Sequence, residues 1–182
     1  MIEYRSGAGS ISTKLVQERK GGAFNNLRGH LNRAARAGLA GRPVCFGADD
    51  TVIGEIVSHW ADQKDRPGFT RSDLTGPTRA CLRLAAGGVR SLGGVVVHEG
   101  PTPVGFWLWE ELPQERSAAS LVRVSIGQNG AAELGAAAAA DYLAARGIER
   151  LCLGGSETAS LDAFKRKLGP TQSIALASVT LG

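Results

Sequence analysis

The stretch LGGSETASLDAFKRKLG, Leu153 to Gly169, concentrates residue types that could do chemistry. A Gly154-Gly155 turn closes an apolar run, and Ser156 and Glu157 stand in the polar loop after it. Phe164, Lys165, Arg166 and Lys167 follow on a short helix that stops at Gly169-Pro170. One reading is an electropositive site built around a single functional lysine. The other is a solvated basic face ended by a C-cap glycine. Ser156 is no nucleophile elbow, because its flanks do not form G-x-S-x-G and no histidine accompanies it. Glu157 suits either a helix N-cap partner or a ligand to an incoming amine.

A second polar face lies near the N-terminus. Arg28, Asn32 and Arg36 recur at helical spacing and could touch phosphates, although such faces are most often simply solvated. Arg123 sits inside the apolar run ASLVRVSIG, ahead of Asn129-Gly130. It could hold a substrate carboxylate or phosphate, or close an ordinary ion pair. Cys45, Cys81 and Cys152 are far apart and never spaced C-x-x-C, so buried reduced thiols are expected rather than disulfides or a zinc site. His30, His59 and His98 form no H-E-x-x-H, and no metal is expected.

These residues need a scaffold. At 182 residues, 43% hydrophobic and 21% charged, the chain suits one globular domain over 1–182, with residues 1–10 expected to be flexible. No apolar run approaches the ~20 residues of a membrane span, and the N-terminus lacks an apolar signal region, so a cytoplasmic location is expected. The net charge of +4 permits a polyanionic partner without requiring one.

The pattern predicts a first strand in SISTKLVQ. A helix over GGAFNNLRGHLNRAARAGL buries Phe24, Leu27, Leu31 and Ala34, and RPVCFGA reads as a strand. A helix over DDTVIGEIVSHWADQKD, capped by Asp49 or Asp50, turns Ile53, Ile56, Val57 and Trp60 inward. RPGFTRSDLTGP reads as a loop and TRACLRLAA as a short helix. SLGGVVVH and PVGFWLWEE form a hairpin about EGPT, with Trp107 and Trp109 on one face and Phe106 and Leu108 on the other. A strand ASLVRVSIG, an alanine-rich helix from about Ala131 to Arg146, a strand ERLCLGG, the helix around Leu161–Leu168 and a strand TQSIALASVTL complete the order. Strands separated by helices imply some parallel pairing.

That order resembles the Gcn5-related acyltransferase fold, an α/β (α+β) architecture with a mixed, splayed sheet flanked by helices. Such enzymes usually hold the coenzyme A pyrophosphate on an Arg/Gln-x-x-Gly-x-Gly/Ala loop at a helix N-terminus. Here Gln128 is followed three positions on by Ala131, so the loop is broken and coenzyme A is disfavoured. LCLGGSETASLDAFKRKLG resembles instead the closing motif of Fem-type, aminoacyl-tRNA-dependent transferases. It is also similar to the C-terminal domain of phosphatidylglycerol lysyltransferases, with Gly154, Gly155, Phe164, Lys165, Leu168 and Gly169 at the motif positions. FNNLRGHLNRAARAGL resembles the helix those families place before the core sheet, and Arg123 with Asn129-Gly130 resembles a lysyltransferase stretch. Together the matches span roughly residues 12 to 180. A stand-alone domain resembles the alanyl-tRNA-dependent transferases of pacidamycin-type antibiotic biosynthesis.

The resemblance implies an enzyme in which an amine attacks the ester carbonyl of aminoacyl-tRNA. An α-amine of pKa ≈ 7.7–8.0 is partly nucleophilic at neutral pH, so the protein has chiefly to position reactants and stabilise an oxyanion. Lys165 is then expected as the oxyanion cation and Phe164 as a stacking platform for the terminal adenine. Arg166, Lys167, Arg28, Asn32 and Arg36 are expected on tRNA phosphates, and Arg123, Asn129, Gly154, Gly155, Ser156 and Glu157 about the substrates. The implied partners are charged tRNA and a small amine-bearing acceptor, free or on a carrier protein, with no membrane or DNA and no cofactor. The alternatives are a coenzyme A-dependent N-acetyltransferase and a non-catalytic RNA-binding module. Fem enzymes carry two copies of the fold and a helical arm; the lysyltransferases add a second such domain and membrane spans. This chain holds one copy.

Overall fold

The computed structural model describes residues 6–64, 70–154, 159–169 and 172–176. Seven strands form one mixed sheet: β1 (Ser6–Ser12), β2 (Leu39–Pro43), β3 (Leu92–Glu99), β4 (Thr102–Leu112), β5 (Ser117–Ser125), β6 (Arg150–Cys152) and β7 (Gln172–Leu176), in the order β2-β3-β4-β5-β6-β1-β7. The helices are α1 (Thr13–Glu18), α2 (Asn25–Arg36), α3 (Asp50–Asp62), α4 (Arg71–Ala86), α5 (Ala131–Ala145) and α6 (Ala159–Lys167). β2 to β5 pair antiparallel, and β6 lies parallel to β5 and antiparallel to β1. The fold is the mixed, helix-flanked sheet that the element order implies.

The sheet splays at its centre. β5 pairs with β6 only from Ser117↔Arg150 to Ala119↔Cys152. Leu153 N–H then donates to Gly9 O at 2.8 Å, which keeps the chain with β1 and away from the rest of β5. Leu121–Ser125 are left with β4 on one side and no strand among the described residues on the other.

Side-chain alternation builds a core on each face. Trp107 and Trp109 face α5, packing with Leu143, Ala136, Ala139 and Ala140. The small residues of α5 let it lie close on β2, β3 and β4. Phe106 and Leu108 face α3 and α4, with Ile53, Ile56, Val57 and Cys81. Burying one large apolar side chain contributes roughly 1.5–3 kcal/mol, so these two layers hold most of the fold's stability. Gly93 is where the Trp109 indole crosses β3: a Cβ there would lie 2.6 Å from the indole nitrogen.

Several boundaries differ from the sequence pattern, each for a local reason. The first strand begins inside the stretch expected to be flexible and ends at Ser12, whose hydroxyl accepts from Leu15 N–H and starts α1. The strand expected at RPVCFGA lies earlier, at Leu39–Pro43, because Gly38 at φ +72° turns the chain straight back from α2. Cys45 O then accepts two backbone bonds that curl the chain into α3. Asp49 occupies the N-cap of α3 but does not cap it; its carboxylate faces Arg42 and Cys45 N–H instead. The expected loop RPGFTRSDLTGP contains the start of α4 at Arg71. A reciprocal Thr70–Asp73 capping box nucleates it, and Pro77 is tolerated inside. The strand at ERLCLGG is only three residues long. Of the thiols expected to be buried, Cys81 is, while Cys45 and Cys152 are exposed.

Candidate functional site

The splay opens into a cleft of about 680 Å³, within the range of small-molecule sites. One wall is β4–β5, with Trp107, Ser120 and Arg123. The opposite wall is the end of β6 and α6, with Leu153, Gly154, Leu161 and Phe164. Trp60, Lys64, Asp73, Leu74 and Pro77 close the α3–α4 side.

Two cations line this space, Lys64 on the α3–α4 side and Arg123 on the sheet wall, and of the two Arg123 is the one held between aromatic rings. It stands directly across from Trp107 in the β4–β5 register. Its guanidinium carbon lies 5.4 Å from the centre of the Trp107 ring and 4.7 Å from that of Phe164, and those rings are 6.5 Å apart. The Trp107 indole N–H is satisfied by Ser120 Oγ at 2.7 Å, so the ring is locked. Among the described residues no carboxylate pairs with Arg123, and its buried Nη1 has no hydrogen-bond partner. Burial pulls the guanidinium pKa down to about 10, which leaves it charged at neutral pH.

Lys165 is 4% exposed and does not itself line the cleft. Its ammonium donates to Gly154 O at 2.6 Å, fixing the strand end to the helix. Lys167 donates to Glu133 Oε1 at 2.9 Å, and His30 Nδ1 lies 3.3 Å from the same oxygen. Glu133 is a buried acid in the first turn of α5, so this cluster ties α6 to α5 and α2. Burial holds the His30 pKa below its ordinary value, with Lys167 and Arg33 adding to the effect and Glu133 opposing it. Arg166 is exposed and pairs with Asp162 on its own helix.

The residues singled out in the sequence therefore separate. Phe164, Arg123 and Gly154 meet at the cleft, and Lys165 reaches it through Gly154. Arg28 does not present its charge: it donates to Arg19 O, Gly21 O and Asn25 Oδ1, closing the turn before α2. Asn32 and Arg36 are exposed on α2 and do not line the cleft. Asn129 (φ +57°) and Gly130 (φ +90°) form the tight entry to α5; a Cβ on Gly130 would strike the His30 carbonyl. Gly155, Ser156 and Glu157 lie outside the described residues. Sequence reasoning missed Glu133 and the Trp60–Lys64–Asp73 wall. Glu133 had a signal, being the one acid amid the small residues of AAELGAAAAA. The wall had none, because its residues come together only through the packing of α3 on α4. Among the described residues no three potential metal ligands cluster, and no helix is long and apolar enough to cross a membrane.

The sequence pattern of the family described as "Phosphatidylglycerol lysyltransferase, C-terminal" matches residues 14–180. No curated protein matches. Among solved structures, a conserved protein of unknown function from Bacteroides thetaiotaomicron is 16% identical with a TM-score of 0.76, the match covering 96% of this chain and 60% of that one. The C-terminal domain of a putative lysylphosphatidylglycerol synthetase from Agrobacterium fabrum is 18% identical with a TM-score of 0.70, covering 97% and 61%. FemX is 9% identical with a TM-score of 0.65, covering 90% and 58%. At these identities the likeness is one of fold, the fold shared with GCN5-related N-acetyltransferases. The chain spans about three fifths of the length of each of these three proteins.

Proposed function

The chain belongs to the family of the phosphatidylglycerol lysyltransferase C-terminal domain, and from that premise we propose that it is an aminoacyltransferase that uses aminoacyl-tRNA to acylate the free amine of a small acceptor. The amine nitrogen attacks the ester carbonyl, and a tetrahedral oxyanion forms and collapses. The carbon–oxygen bond to the tRNA ribose breaks, and that hydroxyl leaves with a proton while an amide forms. The observation that carries the reading is the convergence of the Phe-Lys motif with the sheet's splay. Phe164 lines the cleft, and Lys165 is held against Gly154 at its lip.

In this reading Lys165 supplies the oxyanion's cation, already oriented by its bond to Gly154, and Phe164 offers a face to the terminal adenine. Asn32 and Arg36, and Arg166 once it leaves its exposed pair with Asp162, are the polar groups left to meet RNA phosphates, since Lys167 and Arg28 are committed elsewhere. The acceptor is a small peptide or nucleoside-peptide of secondary metabolism, free or carrier-bound. Two features weigh against coenzyme A: the broken Gln128–Ala131 loop, and the buried Glu133 carboxylate in the helix turn where a pyrophosphate would sit.

The test is binding of charged tRNA, uncharged tRNA and acetyl-CoA across a salt titration, because any basic surface binds RNA weakly and loses it as salt rises. Preference for charged tRNA that survives moderate salt is the expected result. Tight acetyl-CoA binding with only salt-labile RNA binding overturns the donor. Binding of tRNA that ignores both the aminoacyl group and Lys165→Ala points to a non-catalytic RNA module.

A further inference from the structure

We infer that Arg123 is the seat of a carboxylate or phosphate carried by the amine-bearing acceptor, an inference that rests on the transfer reading above. Four observations meet on this side chain. Its buried Nη1 has no hydrogen-bond partner. It opens on the cleft beside Phe164, on a stretch of β5 that pairs with β4 and has no strand among the described residues on its other side. The Trp107 and Phe164 rings take the face of the guanidinium, an arrangement that stabilises the cation without consuming its N–H edge. The two hydroxyls that flank it on the same wall are already engaged: Ser120 accepts from Trp107, and Ser125 donates to Gly127 O.

Burying a guanidinium without an anion costs several kcal/mol, and native interiors leave few such groups unsatisfied. The other two half-buried arginines among the described residues are engaged: Arg19 pairs with Asp141, and Arg28 donates to Arg19 O, Gly21 O and Asn25 Oδ1. Of these three, Arg123 alone has neither a carboxylate nor a carbonyl on its guanidinium among the described residues. A fork of parallel N–H donors matches the two oxygens of a carboxylate or phosphate, and aromatic walls exclude the water that would compete. The acceptor is therefore an amine that also bears an anion, held so that one end is fixed while the other reaches the ester.

The experiment measures binding by the whole chain without any tRNA, read by titration calorimetry and by tryptophan emission. The probes are glycylglycine (carboxylate), O-phosphoethanolamine (phosphate), glycinamide and ethanolamine (neutral), and a short RNA ending in CCA. Glycylglycine, O-phosphoethanolamine or both should bind at least tenfold more tightly than glycinamide and ethanolamine, and the tighter of the two names the anion. Arg123→Met should erase the preference, and Arg123→Lys should keep part of it, since charge survives without the fork. Equal binding of anionic and neutral amines overturns the inference, as does a preference that persists in Arg123→Met. Competition by the CCA-ending RNA that disappears in Arg123→Met also overturns it, by giving the anion to the donor. Should Arg123→Met not fold, the Arg123 Nε–Hε resonance of the unaltered protein decides: glycylglycine or O-phosphoethanolamine must shift it and ethanolamine must not. Transfer from charged tRNA is assayed separately. Anion preference without transfer removes the proposed activity and leaves the seat; transfer without anion preference does the reverse.

Discussion

Two arginines stand on one sheet and behave as opposites. At the β2 edge, Arg42 grips Asp49 through two bonds of 2.7 and 2.6 Å, and the carboxylate also accepts from Cys45 N–H. At the centre, Arg123 has two aromatic rings and no anion. The edge pair joins a strand to the start of a helix and every one of those polar groups is used. The central group is held in place by apolar contacts that cost it nothing of its hydrogen-bonding edge. Structural charge is consumed within the fold; a charge kept unspent beside a cleft is available to a ligand.

The sharpest way to break this division is at Lys165, which lies on the central side but is hydrogen-bonded. Lys165→Ala should lower transfer by about 10²–10³, the loss typical of one oxyanion donor, with the protein still folded. A steady-state assay beside a melting curve checks this. Loss of melting temperature with unchanged transfer would move Lys165 to the structural class.

Next in size is Asp49→Asn, which leaves Arg42 without its anion. It should cost roughly 2 kcal/mol of stability by denaturant unfolding and leave transfer unaltered. Acid makes the same cut without mutation. The Arg42 hydrogen bond and the Cys45 N–H hold the Asp49 pKa down at about 2, against an ordinary carboxylate value of 3.8. That lowering gives stability that is fully present above pH 3.8 and drains as pH falls through about 2, amounting to about 2 kcal/mol. Unfolding free energies from pH 5 to 2 should show this loss in the native protein and not in Asp49→Asn.

The smallest effect tests whether the central side also contains purely supporting charge. Glu133→Gln should cost about 1 kcal/mol, since Lys167 can turn to solvent. It also removes the one group that raises the His30 pKa, leaving burial, Lys167 and Arg33 to push it lower. The His30 imidazole resonances should therefore titrate at lower pH in the variant than in the native protein.

How much of this was legible in the chain varied with how local its cause was. The stripe Phe24, Leu27, Leu31 and Ala34, the EGPT hairpin and the opposed faces of β4 all follow from periodicity, and the structure has them. Pro77 misled because a capping box about two turns earlier, at Thr70 and Asp73, had already started the helix. The short β6 was invisible, since ERLCLGG is apolar enough for a longer strand; it stops pairing with β5 because Leu153 follows β1. Phe164, Lys165 and Arg123 could be singled out by type and by family resemblance. That Arg123 lacks an ion pair, that Lys167 has one and that Arg28 caps a turn are properties of packing between elements distant in sequence, which no local pattern encodes.

The three-residue β6 has one more consequence. A sheet's unpaired margin ordinarily lies at its rim, where it can seed pairing with a neighbouring molecule. Here the rim strands are β2 and β7, and a further margin lies in the middle of the sheet, where the side of Leu121–Ser125 turned away from β4 has no partner strand among the described residues. That interior margin offers main-chain donors and acceptors in strand geometry to something entering the cleft, while α6 stands beside it. The fold thus places the adhesive property of an edge where a substrate's own amides can use it, and away from the surface where it would invite aggregation.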